Sequence, residues 1–80
     1  MTIREAISQR LLGLCSERNI SINALALMSA VPPSTLKNII SGVSKNPGSV
    51  TIKKLCDGLD ITIIEFYDHK LFANLEPEIK

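Results

Sequence analysis

Ser34, Lys37, Asn38 and Ser41 are the residues whose types and spacing point most directly to chemistry. On a helix they share one side, while Leu36, Ile39, Ile40 and Val43, at i, i+3, i+4 and i+7, make an apolar stripe on the other. The four polar side chains are small or hydrogen-bonding, and none is acidic. Such a front suits base edges and phosphate oxygens, which hydrogen-bonding and cationic groups recognise.

Other chemistries find little support. His69 is the sole histidine, has no plausible nucleophile beside it, and reads as a surface residue. Cys15 and Cys56 lie on apolar faces without a C-x-x-C spacing, which predicts buried reduced thiols and no zinc site. There is no glycine-rich phosphate loop, no metal-ligand cluster and no carboxylate pair framed by other polar groups. The expectation is a protein that is not an enzyme and carries no cofactor.

The elements that must position the polar front follow from its flanks. Ser21 is a good helix N-cap, and residues 24–28 read as the apolar run of one short buried helix. Small Ala26 and Ala30 would let another helix approach closely. Val31-Pro32-Pro33 forces an extended break, because a proline pushes its predecessor out of the helical region. Pro33 can itself open a helix at the first position, and Gly42 can close it in the left-handed conformation. Two helices about a bend, the second with a buried back and a polar front, form the helix-turn-helix that enters a DNA major groove.

Around this motif, Thr2 and Glu5 make a capping box, and Ile3, Ile7, Leu11, Leu14 and Cys15 carry a stripe to about Arg18. Gly13 weakens that helix by about 1 kcal/mol relative to alanine, and Asn19 ends it. Residues 44–48 read as a loop, after which Ser49 or Thr51 caps a helix that buries Ile52, Leu55, Cys56 and Leu59. Thr62 and Glu65 make a second capping box, with Ile61 placed to staple onto Phe66. Leu71, Phe72 and Leu75 either continue a helix or fold back on the bundle before Pro77 ends regularity, or else offer a dimer or partner surface.

Eighty residues, 45% of them hydrophobic and 21% charged, predict a single globular domain spanning 1–80, with residues 68–80 the least regular part. No apolar run reaches the roughly 20 residues of a membrane span, and charge at the N-terminus speaks against a signal peptide. A cytoplasmic, bacterial-type chain is expected. The net charge is only +1 but is unevenly spread. Arg4, Arg10, Arg18, Lys37, Lys45, Lys53 and Lys54 outweigh Glu5 and Glu17 through residue 54, while six acids outweigh Lys70 and Lys80 thereafter. A basic body with an acidic rear fits a polyanionic partner.

Residues 20–42 resemble the Xre-type, lambda-repressor-like helix-turn-helix family, in Leu25-Ala26, Ala30, Val31, the polar stretch 34–41 and Gly42. The likeness extends through 51–62 and Glu65-Phe66, and so covers nearly the whole chain. It implies an all-α, five-helix domain with its motif at about 21–42. It further implies a small transcriptional regulator that reads double-stranded DNA through a helix from about Pro33 to Ser41.

Carried over from the family, Pro33, Ser34, Lys37, Asn38 and Ser41 would face the groove. Asn38 would pair with adenine N6 and N7, Lys37 would reach guanine O6 and N7 or a phosphate, and Ser34 would serve either base. Asn23, Ser41, Lys45 and Asn46 would sit against phosphates. A homodimer on a palindromic site is expected, since one such module makes few contacts.

Three departures bear on this. Pro32 and Pro33 stand where the family commonly has a capping Ser or Thr and a Gln or Arg base reader, and Ile22 where a phosphate-contacting polar residue is frequent. Cys15 and Ile40 occupy the places of an arginine–glutamate pair found in many members; apolar replacement of both partners preserves a core. The first two departures leave open a rival reading: a protein-interaction module, or an antitoxin-like partner protein, with weak or no DNA readout.

Overall fold

Thr2 opens the first helix by accepting the Glu5 amide at 3.2 Å, while the Glu5 carboxylate accepts the Thr2 amide at 2.9 Å. The computed structural model describes residues 1–43 and 46–79. Their helices are α1 (Ile3–Arg18), α2 (Ile22–Met28), α3 (Pro33–Ser41), α4 (Ser49–Leu59) and α5 (Ile63–Tyr67), followed by a 3-10 turn at Lys70–Phe72. No strand occurs among the described residues. The second expected capping box is present too, with Thr62 and Glu65 exchanging bonds of 2.9 and 3.0 Å.

One core joins the helices. Leu11 and Leu14 of α1, Leu25 of α2, Leu36 and Ile39 of α3, Leu55 and Leu59 of α4 and Phe66 of α5 are buried together, with Cys15 and Cys56 among them. Both thiols are free, and burial pushes each above the ordinary cysteine value, so they are held protonated. Ile61 packs against the same cluster as Phe66, as a staple requires.

Helices α1, α2 and α4 end by one device. The amides of Ile20, Val31 and Ile61 each reach the carbonyl five residues back, at 3.0 Å. The residue before each of them, Asn19, Ala30 or Asp60, is left-handed, with φ of 57°, 54° and 57°. This is the Schellman geometry, in which the left-handed residue's own amide and the next one satisfy the last carbonyls. After α1 and α4 the corner is completed by a further repeat: Ile20 then the cap Ser21, and Ile61 then the cap Thr62, both caps extended with ψ 163°.

Several expectations need correction. Of residues 24–28 only Leu25 and Ala26 are buried, whereas Leu27 and Met28 are 78% and 54% exposed because a seven-residue helix turns one side to the core. Val43 is 69% exposed, since the left-handed Gly42 ends α3 before the stripe reaches it. Ala30 is exposed and forms the turn, so the break begins there rather than at the prolines. Gly48, and neither Ser49 nor Thr51, is the N-cap of α4, with no side-chain oxygen taking an amide of its first turn.

The chain after α5 folds back across α1. Leu71, Phe72 and Leu75 are half-buried within it, and the rings of Phe66, Tyr67 and Phe72 meet edge-on or tilted, with centroids 4.9 to 6.0 Å apart. Glu76 pins the segment to the start of the chain: its amide donates to the Met1 carbonyl at 3.0 Å and its carboxylate pairs with the terminal amine at 3.2 Å. His69 is not a plain surface residue, because it is half-buried and its Nδ1 accepts the Leu71 amide at 3.1 Å.

Candidate nucleic-acid interface

The bend between α2 and α3 is four residues long. Ser29 is buried, Ala30 takes the left-handed conformation, Val31 is buried, and Pro32 is extended at φ −56° and ψ 135°. Pro33 then begins α3, where its missing N–H removes a donor that has no intrahelical partner in any case. Helix α3 buries Leu36 and Ile39 and half-buries Thr35 and Ile40. Pro33, Ser34, Lys37, Asn38 and Ser41 are all exposed, so the structure brings these five onto the outward side of one helix.

Of these side chains, Ser41 is already engaged, its hydroxyl donating to the Asn38 carbonyl at 3.3 Å. Asn23 is exposed in the first turn of α2, beyond the Ser21 hydroxyl that accepts the Ala24 amide at 3.0 Å. Asn46 is exposed ahead of α4. Lys45, also expected at a phosphate, lies outside the described residues. Ile22 is half-buried against the core, which accounts for an apolar residue where the family often has a polar one.

The charge pattern looks different once side chains are placed. Arg10 donates to the carbonyls of Phe66 at 2.8 Å and Glu65 at 3.0 Å, and Arg18 donates to the carbonyl of Leu59. Both arginines are therefore committed to helix C-termini, where a cation complements the helix dipole. Lys53 pairs with Asp57, and that bond holds the ammonium above the ordinary lysine value. What remains is a feature the split of basic and acidic halves obscured. Residues 18–56 contain no Asp or Glu at all, yet hold Arg18, Lys37, Lys45, Lys53 and Lys54. The whole of α2, the bend, α3 and the first turns of α4 fall inside this acid-free run.

The first turns of α3 and α4 share another property. Neither has a side-chain cap or an acidic residue in its first turn. Their leading amides are open to an external acceptor such as a phosphate. Among the described residues there is no group of His, Cys, Asp and Glu side chains arranged to hold a metal, and no enclosed pocket. No helix of the described residues is long and apolar enough to cross a membrane.

A family model described as helix-turn-helix matches residues 14–66, from the end of α1 to Phe66. Comparison with curated proteins and with solved structures returned no match. The match covers the motif, the end of α1 before it and α4 after it, and it indicates a DNA-binding helix-turn-helix, a regulatory rather than an enzymatic kind of domain. The five helices have the all-α, lambda-repressor-like arrangement. The chain belongs to the helix-turn-helix family of Xre-type, lambda-repressor-like regulators.

Proposed function

We propose that the chain binds double-stranded DNA sequence-specifically, as a small transcriptional regulator that lays α3 in the major groove. The observation that carries this reading is the exposed face of α3 within an acid-free run of 39 residues. Asn38 offers a paired donor and acceptor for adenine, Lys37 a cation for guanine or phosphate, and Ser34 an adaptable hydroxyl. Pro33 offers only an apolar surface, which suits a thymine methyl. Asn23, Ser41, Lys45 and Asn46, with the open amides of α3 and α4, serve as phosphate contacts.

A homodimer on a two-fold site belongs to the same proposal, because a single module with so few base contacts discriminates weakly. The reading also implies a cytoplasmic chain, in contact with the DNA it regulates. The rival, a protein-interaction module or antitoxin-like protein holding its partner through Leu71, Phe72 and Leu75, is weakened because all three are half-buried within the chain and Phe72 packs against its own core.

Replacing Lys37 and Asn38 together by alanine tests the assignment. The double variant should stay folded, since both side chains are exposed, and should lose its preference for a duplex selected by the wild-type chain. An unchanged preference in a folded variant would refute these base contacts. Salt separates the rival class. DNA binding should weaken with a log–log slope of about −0.9 per phosphate contact, whereas an apolar protein contact should be nearly insensitive.

A further inference from the structure

Helix α1 supplies a hydrogen-bond donor to the C-terminal carbonyls of three other helices. Arg10 donates to α5 and Arg18 to α4, while Ser8 Oγ donates to the carbonyl of Ile40, near the end of α3, at 2.7 Å. Only α2, closed by Ala30, takes no side-chain bond from α1 among the described residues.

We propose that Ser8 is a positioning residue for α3 and thereby sets the sequence specificity of the chain; this rests on the DNA-reading function proposed above. Helix α3 has nine residues and buries only Leu36 and Ile39 fully. Apolar contacts are non-directional, so Leu36 and Ile39, with half-buried Ile40 beside them, fix how deep the helix sits more firmly than they fix its roll and tilt. At its N-terminal end Pro32 makes no side-chain cap bond. The bond from Ser8 is short, half-buried and joins residues 32 apart in sequence. It is the side-chain hydrogen bond that ties α3 to another helix among the described residues, and hydrogen bonds are directional.

The Ile40 carbonyl lies two residues from Asn38 and three from Lys37. A change in the roll of α3 at Ile40 therefore displaces both proposed base readers relative to α1 and the rest of the bundle. Base contacts demand that placement. Phosphate contacts, which supply sequence-independent affinity, tolerate more. The cysteine at position 15 and the isoleucine at 40 provide no polar tie between α1 and α3 through their side chains, which leaves the Ser8 hydroxyl on the Ile40 backbone carbonyl as the polar link.

The test compares the wild-type chain with Ser8→Ala and Ser8→Thr. Residual dipolar couplings of backbone amides report the orientation of α3 relative to α1, with α4 as internal control. Binding is measured to a duplex selected from a randomised pool by the wild-type chain, and to a random-sequence duplex of equal length. Ser8→Ala should reorient α3 and not α4, and weaken binding to the selected duplex about two- to tenfold while binding to the random duplex holds. Ser8→Thr, which keeps the hydroxyl, should restore both. Unchanged couplings in Ser8→Ala, or an equal loss on both duplexes, would overturn the positioning role. A wild-type chain that selects no duplex would overturn the DNA-reading function and the specificity part with it. The couplings would still decide whether Ser8 orients α3.

Discussion

A β-carbon on Gly58 would lie 2.1 Å from Ser29 Oγ, 3.0 Å from its Cβ and 3.1 Å from its Cα. The end of α2 thus meets α4 at the one place where α4 has no side chain, and the two helices approach through that gap. Gly58 is helical, so no unusual backbone angle asks for glycine here. The requirement is steric alone.

Gly58→Ala should therefore destabilise the chain, even though alanine is the better helix former. The overpacking cost of about 1–3 kcal/mol exceeds the gain of about 1 kcal/mol in helix propensity over most of its range. Chemical denaturation should show the lowered midpoint. Ser29→Ala in the same background should recover only part of the loss, because the backbone of residue 29 is itself close. Ser29→Ala alone should be neutral or stabilising. Its buried hydroxyl has no hydrogen-bond partner among the described residues, and removing such a group costs little.

Ala30→Gly should stabilise the fold. Alanine in the left-handed region costs about 1–2 kcal/mol, and the greater freedom of glycine in the unfolded chain returns about 0.4–1 kcal/mol of that. A net gain near 1 kcal/mol is expected, read as a higher urea midpoint at unchanged m-value. Asn19 and Asp60 share the conformation, but Asn and Asp are residue types that enter the left-handed region at lower cost than alanine. Glycine there should gain less.

Glu5 gives a pH dependence of definite sign. Hydrogen bonds from the Thr2 amide and then the Thr2 hydroxyl hold its carboxyl below the ordinary value. A carboxyl lowered in the folded state stabilises fully above its unfolded value of about 4.3, and that contribution is lost as pH falls through the lower folded value. The site is fully exposed, so the effect should be small. Fraying of the first turn of α1 on acidification, seen in amide exchange of Glu5 and Ala6, should disappear in Glu5→Gln.

Much of this was legible in the sequence because the partners are near one another. The capping boxes at Thr2 and Thr62, the Ser21 cap and the Gly42 stop each depend on residues within about one turn, and all are as expected. The outward face of α3 was legible too, since its polar and apolar residues separate at helical period. Periodicity misled where it ran past a helix end, as at Val43, or where a helix was too short to bury both sides, as at Leu27 and Met28. The bonds from Ser8, Arg10 and Arg18 to α3, α5 and α4 span 32 to 56 residues. Nothing local marks them, and the arginines counted there only as charge. The close approach of Ser29 to Gly58 is invisible for the same reason.

The central claim is that α3 faces DNA. An amide chemical-shift map of the labelled chain, titrated with a generic duplex at low salt, tests it most directly. Shifts concentrated at residues 34–41, with Asn23 and Asn46 beside them, are the predicted result. A folded chain whose shifts stay fixed at these positions would contradict the DNA reading.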